Sequence, residues 1–216
     1  MPHFDQLPYP SRYNSLRLLG YDYTSPRKLC ALTLVAETRR PLFADMLLAK
    51  AILASLLSPE TLVNLHLRAF TLMPDHLHLI AAARQSKFDL PNLIANFKSF
   101  TTQLYWKRSR EILASGEISL PSQSVNKADL KGSRSLMAAL LTGHLKLRPE
   151  VVELKNWPSV QPECFLKKHL WQAKFFDHVI RNDQDLRESL NYVAMNPVRA
   201  GYVTRPCFYP YTGFMD

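Results

Sequence analysis

The sequence predicts an α+β domain, an antiparallel sheet flanked by helices. Three observations carry that expectation. The stretch 28–35, KLCALTLV, is a short apolar run of strand length. The stretches 62–71 and 76–82 alternate in polarity on either side of Met73-Pro74-Asp75, the pattern of an antiparallel hairpin. Two later stretches, 89–110 and 183–196, repeat apolar residues every three or four positions, which is helical spacing. One domain over 27–216 accounts for these pieces. A basic arm, 1–26, precedes it, and a partly helical insertion at about 111–165 interrupts it.

In chain order, residues 1–26 are rich in Pro, Tyr and Arg and lack periodicity, so they read as irregular. After the first strand, Arg39-Arg40-Pro41 breaks regular structure. A helix then starts at Asp45, placed to cap it, with Leu48, Ile52 and Leu56 at four-residue spacing and Pro59 to close it. In the first arm of the hairpin, Leu65, Leu67 and Ala69 alternate with His66, Arg68 and Phe70. The helix at 89–110 has Pro91 in its first turn and a stripe of Leu90, Leu93, Ile94, Phe97, Thr101 and Leu104. Lys98, Lys107, Arg108 and Arg110 fall off that stripe, on a face that is either simply solvated or tracks phosphates. Gly, Ser and Pro punctuate 111–165, with a short apolar helix expected at 135–142. The stretch 170–180, LWQAKFFDHVI, reads as the final strand. Asp183 then caps a helix that buries Leu186, Leu190 and Val193 and ends at Pro197 and Gly201.

Composition narrows the function. Hydrophobic residues make up 47% and charged residues 21%, the balance of a folded globular chain. Lys and Arg number 27 against 18 Asp and Glu, a net charge of +9. That excess favours a polyanionic partner, nucleic acid being the commonest; a basic balance with no specific partner is the other reading. The three cysteines stand singly with no C-x-x-C spacing, which suits reduced thiols in a cytosolic protein. The first residues lack the apolar run of a signal peptide, and no stretch is long and apolar enough for a membrane span.

The chemistry centres on MPDHLHLI, 73–80. His76 and His78 are one residue apart, and a strand would turn both imidazoles to the same face. Far downstream, Tyr192 and Asn196 stand one helical turn apart, and Tyr192 lies roughly 200° from Leu190, off the buried stripe. Two imidazoles and one amide oxygen suit Mg²⁺ or Mn²⁺ and leave positions for phosphate oxygens. The tyrosine would then be the nucleophile toward a phosphodiester.

Three stretches resemble the REP-associated tyrosine transposases, a branch of the single-tyrosine, IS200-like HUH transposases named for His-hydrophobic-His. They are MPDHLHLI, NFKSFTTQLYWK at 96–107 and LWQAKFFDHVIRNDQDLRESLNYVAMNPVRAGYV at 170–203. The resemblance takes in roughly 140 residues, the first strand and its Arg-Arg-Pro-Leu-Phe turn included. It implies a ferredoxin-like HUH nuclease fold. It also implies His76, His78 and Asn196 as metal ligands and Tyr192 as a nucleophile forming a 5′-phosphotyrosine. Asn196 holds a place where the wider group usually carries Gln. The implied substrate is single-stranded DNA folded into hairpins of repetitive palindromic elements, cut near a short guide sequence. The implied setting is the bacterial cytoplasm and its nucleoid, with a monomeric or homodimeric enzyme. Lys98, Lys107, Arg108, Arg110, His178 and Arg199 are the candidate DNA contacts. The stretches 1–26 and 111–165 lie outside the resemblance.

Two other readings use the same residues. A DNA-hairpin binding regulator without turnover would need the charge and the aromatics but not the histidine–tyrosine constellation. A nuclease that activates water on a metal would not need Tyr192. Tyr105, the rival nucleophile, has no amide or carboxylate one turn away and suits packing or base stacking.

Overall fold

The structure, a computed structural model, describes residues 21–118 and 154–215. Residues 1–20 of the expected arm (1–26) and 119–153 of the expected insertion, with its helix at 135–142, lie outside the described residues. Five strands form one antiparallel sheet: β1 (Cys30–Val35), β2 (Leu65–Leu72), β3 (His76–Ala83), β4 (Phe176–Val179) and β5 (Thr212–Phe214), in the order β4-β1-β3-β2-β5. The helices are α1 (Met46–Leu56), α2 (Pro59–Leu62), α3 (Leu90–Ser115) and α4 (Asp183–Arg199). The path β1-α1-β2-β3-α3-β4 is the βαββαβ arrangement of ferredoxin-like folds, with β5 added at one edge.

Strand alternation divides the sheet into two faces. Leu77, Leu79 and Ala81 of β3 join Leu32 and Leu34 of β1 in the main core. There they meet Leu48, Ile52 and Leu56 of α1 and Ile94, Phe97, Tyr105 and Ile112 of α3. The opposite face carries Ala69 and Ile80, which pack on Val193 of α4. His76 and His78 share the phase of Ile80, so they fall on the side of α4.

Several expectations are corrected. Strict alternation in β2 fails at Arg68. Leu67 pairs with Ala81 and Ala69 with Ile80, so a bulge adds one residue and reverses the phase. Phe70 and Leu72 thus join the core with Leu65 and Leu67, while Ala69 and Thr71 turn toward α4. Pro59 opens α2 rather than merely closing α1, and Asn182, not Asp183, caps α4 by accepting from the Asp185 amide. In α3 the buried position is Tyr105, not Leu104, and the helix runs on to Ser115, where Gly116 at φ 75° ends it. The stretch 170–180 is not one strand. Trp171 bridges to Ala36 and buries its ring, and regular pairing resumes only at Phe176. Nor is it the last strand, because β5 follows. There Gly213 crosses Phe70 so closely that a Cβ would stand 2.4 Å from the ring. Within the segment after residue 153, Trp157, Val160 and Phe165 pack on the main core.

Candidate active site

His76 and His78 are 8% and 6% exposed, and their Nε2 atoms lie 3.0 Å apart. Each ring is oriented from its other nitrogen. His76 Nδ1 donates to Asp75 Oδ1 at 2.5 Å, and His78 Nδ1 lies 2.8 Å from Thr33 Oγ1. Thr33 is the cross-strand partner of His78 on β1, so sheet register delivers that contact. Arg39 completes the row by donating to Asp75 Oδ2 at 3.3 Å. It does so from a turn in which Thr38 and Arg39 both adopt left-handed backbone, with φ 56° and 52°. That conformation is costly for residues other than glycine and recurs where function demands it.

Burial, with His76, Arg199 and Arg39 adding to it, holds the His78 imidazole well below its usual value. Its neutral ring therefore has a lone pair to offer. Burial works to raise the Asp75 carboxyl, but the hydrogen bond and charge of His76, then Arg39, outweigh it and keep the group ionised.

Tyr192 reaches the pair from α4. Its ring meets that of His78 edge to face, with centroids 5.3 Å apart. The local reason lies in Pro197. A helical carbonyl expects the amide four residues on, but Pro197 has none, so the carbonyl of Val193 lacks its partner. Buried Thr71 fills the place: its hydroxyl donates to Val193 O at 3.0 Å. Thr71 pairs across the sheet with His78, so one bond fixes the helix beside the histidine it must face. Thr71→Val should leave that carbonyl unsatisfied and lower stability by about 1–3 kcal/mol, read as a shift in urea midpoint. Thr71→Ser, which keeps the hydroxyl, should restore most of it.

The other predicted site residues distribute unevenly. Asn196 Nδ2 donates to Tyr192 O at 3.2 Å, one turn back. Arg199 donates to the same carbonyl at 2.8 Å and lays its guanidinium 4.3 Å from the Tyr192 ring centre. His178 Nε2 lies 2.8 Å from Asp185 Oδ1 and so ties β4 to the first turn of α4. Lys98 and Arg108 are engaged inside the fold. Burial pushes the Lys98 ammonium down to about 8, and it donates to the carbonyls of Gln172 and Ala173. Arg108 binds Asp45. Lys107 and Arg110 are exposed. His66 pairs with Ala82, four residues along β3 from His78 and thus roughly 13 Å away. Tyr105 is fully buried, with its hydroxyl among the carbonyls of Phe165 and Lys167. Sequence reading missed Thr33, Thr71, Asp75 and Arg39. Only Asp75, directly before His76, left a trace there.

The antiparallel sheet thus turns two imidazoles of one strand toward a tyrosine on the facing helix, the arrangement that the sequence resemblance leads one to expect. The family described as "Transposase IS200 like" matches residues 29–118, which hold both histidines and stop short of Tyr192. A REP-associated tyrosine transposase of Haemophilus influenzae is 44% identical over 45 residues, 21% of this chain and 26% of that one. One from Escherichia coli is 38% identical over 63 residues, 27% of this chain and 38% of that one. The chain thus spans well under half the length of either relative. A solved structure of a REP-associated tyrosine transposase bound to a REP hairpin is similar at 18% identity and a TM-score of 0.39, covering 87% of this chain and 77% of that one. The family match and the two sequence relatives bear out the resemblance to REP-associated tyrosine transposases.

Proposed function

We propose that the protein is a divalent-metal-dependent enzyme that cuts and rejoins single-stranded DNA at hairpins of repetitive palindromic elements, through a 5′-phosphotyrosine. The observation that carries this reading is the meeting of the Tyr192 and His78 rings at 5.3 Å. The names of the similar proteins support the substrate class.

The histidine pair fits a metal. Asp75 can only accept, so the neutral His76 ring carries its proton on Nδ1 and leaves Nε2 for a metal. His78 turns its own Nε2 to the same point. Their 3.0 Å spacing matches neighbouring ligands of an octahedral ion with bonds of about 2.1 Å. Among the described residues no third His, Cys, Asp or Glu joins them. Asn196 would supply the third ligand through Oδ1, since its Nδ2 is turned to Tyr192 O. The ion would be Mg²⁺ or Mn²⁺ and, when bound, would polarise the phosphodiester.

The chain's own part is nucleophilic. The Tyr192 oxygen bonds to phosphorus as it loses its proton, the P–O3′ bond breaks, and the 3′ oxygen leaves as a hydroxyl. The 5′-phosphate stays on Tyr192, so the bond energy is retained and a 3′-hydroxyl can reverse the step without ATP. Such a substrate implies action on the bacterial nucleoid, in the cytoplasm, by a monomer or homodimer.

The test is a denaturing gel after incubation with single-stranded REP-type hairpins and Mn²⁺. A covalent protein–DNA band is expected, lost with EDTA and in His76→Ala. Tight binding with no cleavage across a panel of hairpins would instead favour a hairpin-binding regulator.

A further inference from the structure

We infer that the outer side of α3 around Trp106 is a second DNA contact, for an unpaired stretch of strand. The inference rests on the proposed function and adds a surface to it. It starts from the backbone at 164–169. Arg40 draws in the carbonyls of Cys164 and His169, Tyr105 those of Phe165 and Lys167, and Trp106 that of Lys168. With its carbonyls turned inward, the ribbon presents Leu166, Lys167 and Lys168 outward, and all three are exposed. The surface is therefore held in shape before any partner arrives, which lowers the ordering cost of binding.

Trp106 stands beside this ribbon. Its indole N–H is held 2.8 Å from Lys168 O, yet the residue is 44% exposed. The ring is thus pinned at its polar edge with aromatic surface left to solvent. It lines a cleft of about 500 Å³ with Arg110, Leu166, Lys167 and Lys168, and among the described residues no carboxylate lines that cleft. Lys107 is exposed next to it on α3, and the nearest acid on the ribbon's turn is exposed Glu163. A fixed aromatic face amid cations is the recognition surface of unpaired nucleic acid, whose bases stack while its phosphates meet Lys and Arg. A duplex hides its base faces, and an acidic peptide has charge without them. Because α3 packs on the sheet face opposite to His76 and His78, the strand held here is not the segment at Tyr192 but DNA flanking it.

The experiment is fluorescence anisotropy of the full chain with a labelled oligothymidylate of about 15 nucleotides. Trp106→Ala should weaken affinity roughly 5- to 150-fold, the range of base–aromatic stacking, and Trp106→Phe should recover most of it. The exposed pair Lys167→Gln with Lys168→Gln, which leaves the fold intact, should reduce the slope of log K against log salt by about 1.4, roughly 0.7 for each lost phosphate contact. Affinities within about twofold of wild type in both variants would overturn the inference, as would an equal loss of polyglutamate binding, which would mark a protein-binding face. If wild type forms the covalent band and these variants bind DNA normally, this inference alone fails. If the variants lose affinity but wild type forms no band, the surface stands and the catalytic reading falls.

Discussion

Tyr192→Phe should abolish the covalent protein–DNA product and slow strand cleavage by roughly four orders of magnitude or more, the scale of losing a covalent nucleophile. Little else should change. Phenylalanine keeps the ring that meets His78 edge to face and the surface under the Arg199 guanidinium. The bonds from Asn196 and Arg199 go to the backbone carbonyl of Tyr192, which the substitution leaves in place. Melting temperature and hairpin affinity should therefore match wild type, so a lost band has one meaning. Thermal melting and anisotropy on the same preparation check this. Cleavage that persists without a band would replace the tyrosine with an activated water, still consistent with the histidine pair. A large loss of stability in Tyr192→Phe would mean instead that the hydroxyl holds the helix.

The part of this site that sequence reveals is the part carried by short-range spacing. His76 and His78 share a face because strands alternate, and Tyr192 and Asn196 share one because helices turn. What brings the two pairs together is register. Thr33 and Thr71 flank His78 only because β1 and β2 pair with β3 as they do, and neither threonine stands out along the chain. The bulge at Arg68 shows the same limit. The first half of β2 follows its alternation, and one inserted residue then exchanges the faces of Phe70 and Thr71. Without that exchange Thr71 would not face α4.

The segment 170–180 misleads for a different reason. Its aromatic run has strand composition, yet the Lys98 ammonium takes the carbonyls of Gln172 and Ala173 and the indole of Trp171 donates to Thr101. Those partners all lie on α3, so the helix competes with the sheet for this stretch. The same helix hides its preference for Tyr105 over Leu104, because the tyrosine is buried only once Arg40 and the carbonyls at 165 and 167 surround its hydroxyl.

Removing the carboxylate of Asp45 should be strongly destabilising while leaving the active site untouched. Asp45 is 0% exposed, caps α1 through the Leu48 amide at 2.8 Å, and receives both Nε and Nη2 of Arg108 at 3.0 and 2.8 Å. The two functions separate by substitution. Asp45→Ser retains a capping oxygen but leaves the Arg108 guanidinium with only exposed Glu111 and the Glu117 carbonyl, at a cost of roughly 2–4 kcal/mol, below that of a wholly unpaired buried ion. Asp45→Ala loses the cap as well, about 1 kcal/mol more. Asp45→Ser combined with Arg108→Leu removes both charges and should recover part of the loss, because the penalty comes from the underpaired, largely buried guanidinium more than from the missing bridge. Urea denaturation of the three variants measures this, and a double variant no more stable than Asp45→Ser would refute it. The result bears on function through Arg108, which lies on the basic helix that sequence reading offers to DNA. If its guanidinium serves α1, hairpin binding lost in Arg108→Leu should return at temperatures below the variant's melting transition. A reduced salt slope in a fully folded Arg108→Leu would instead return the residue to the DNA interface.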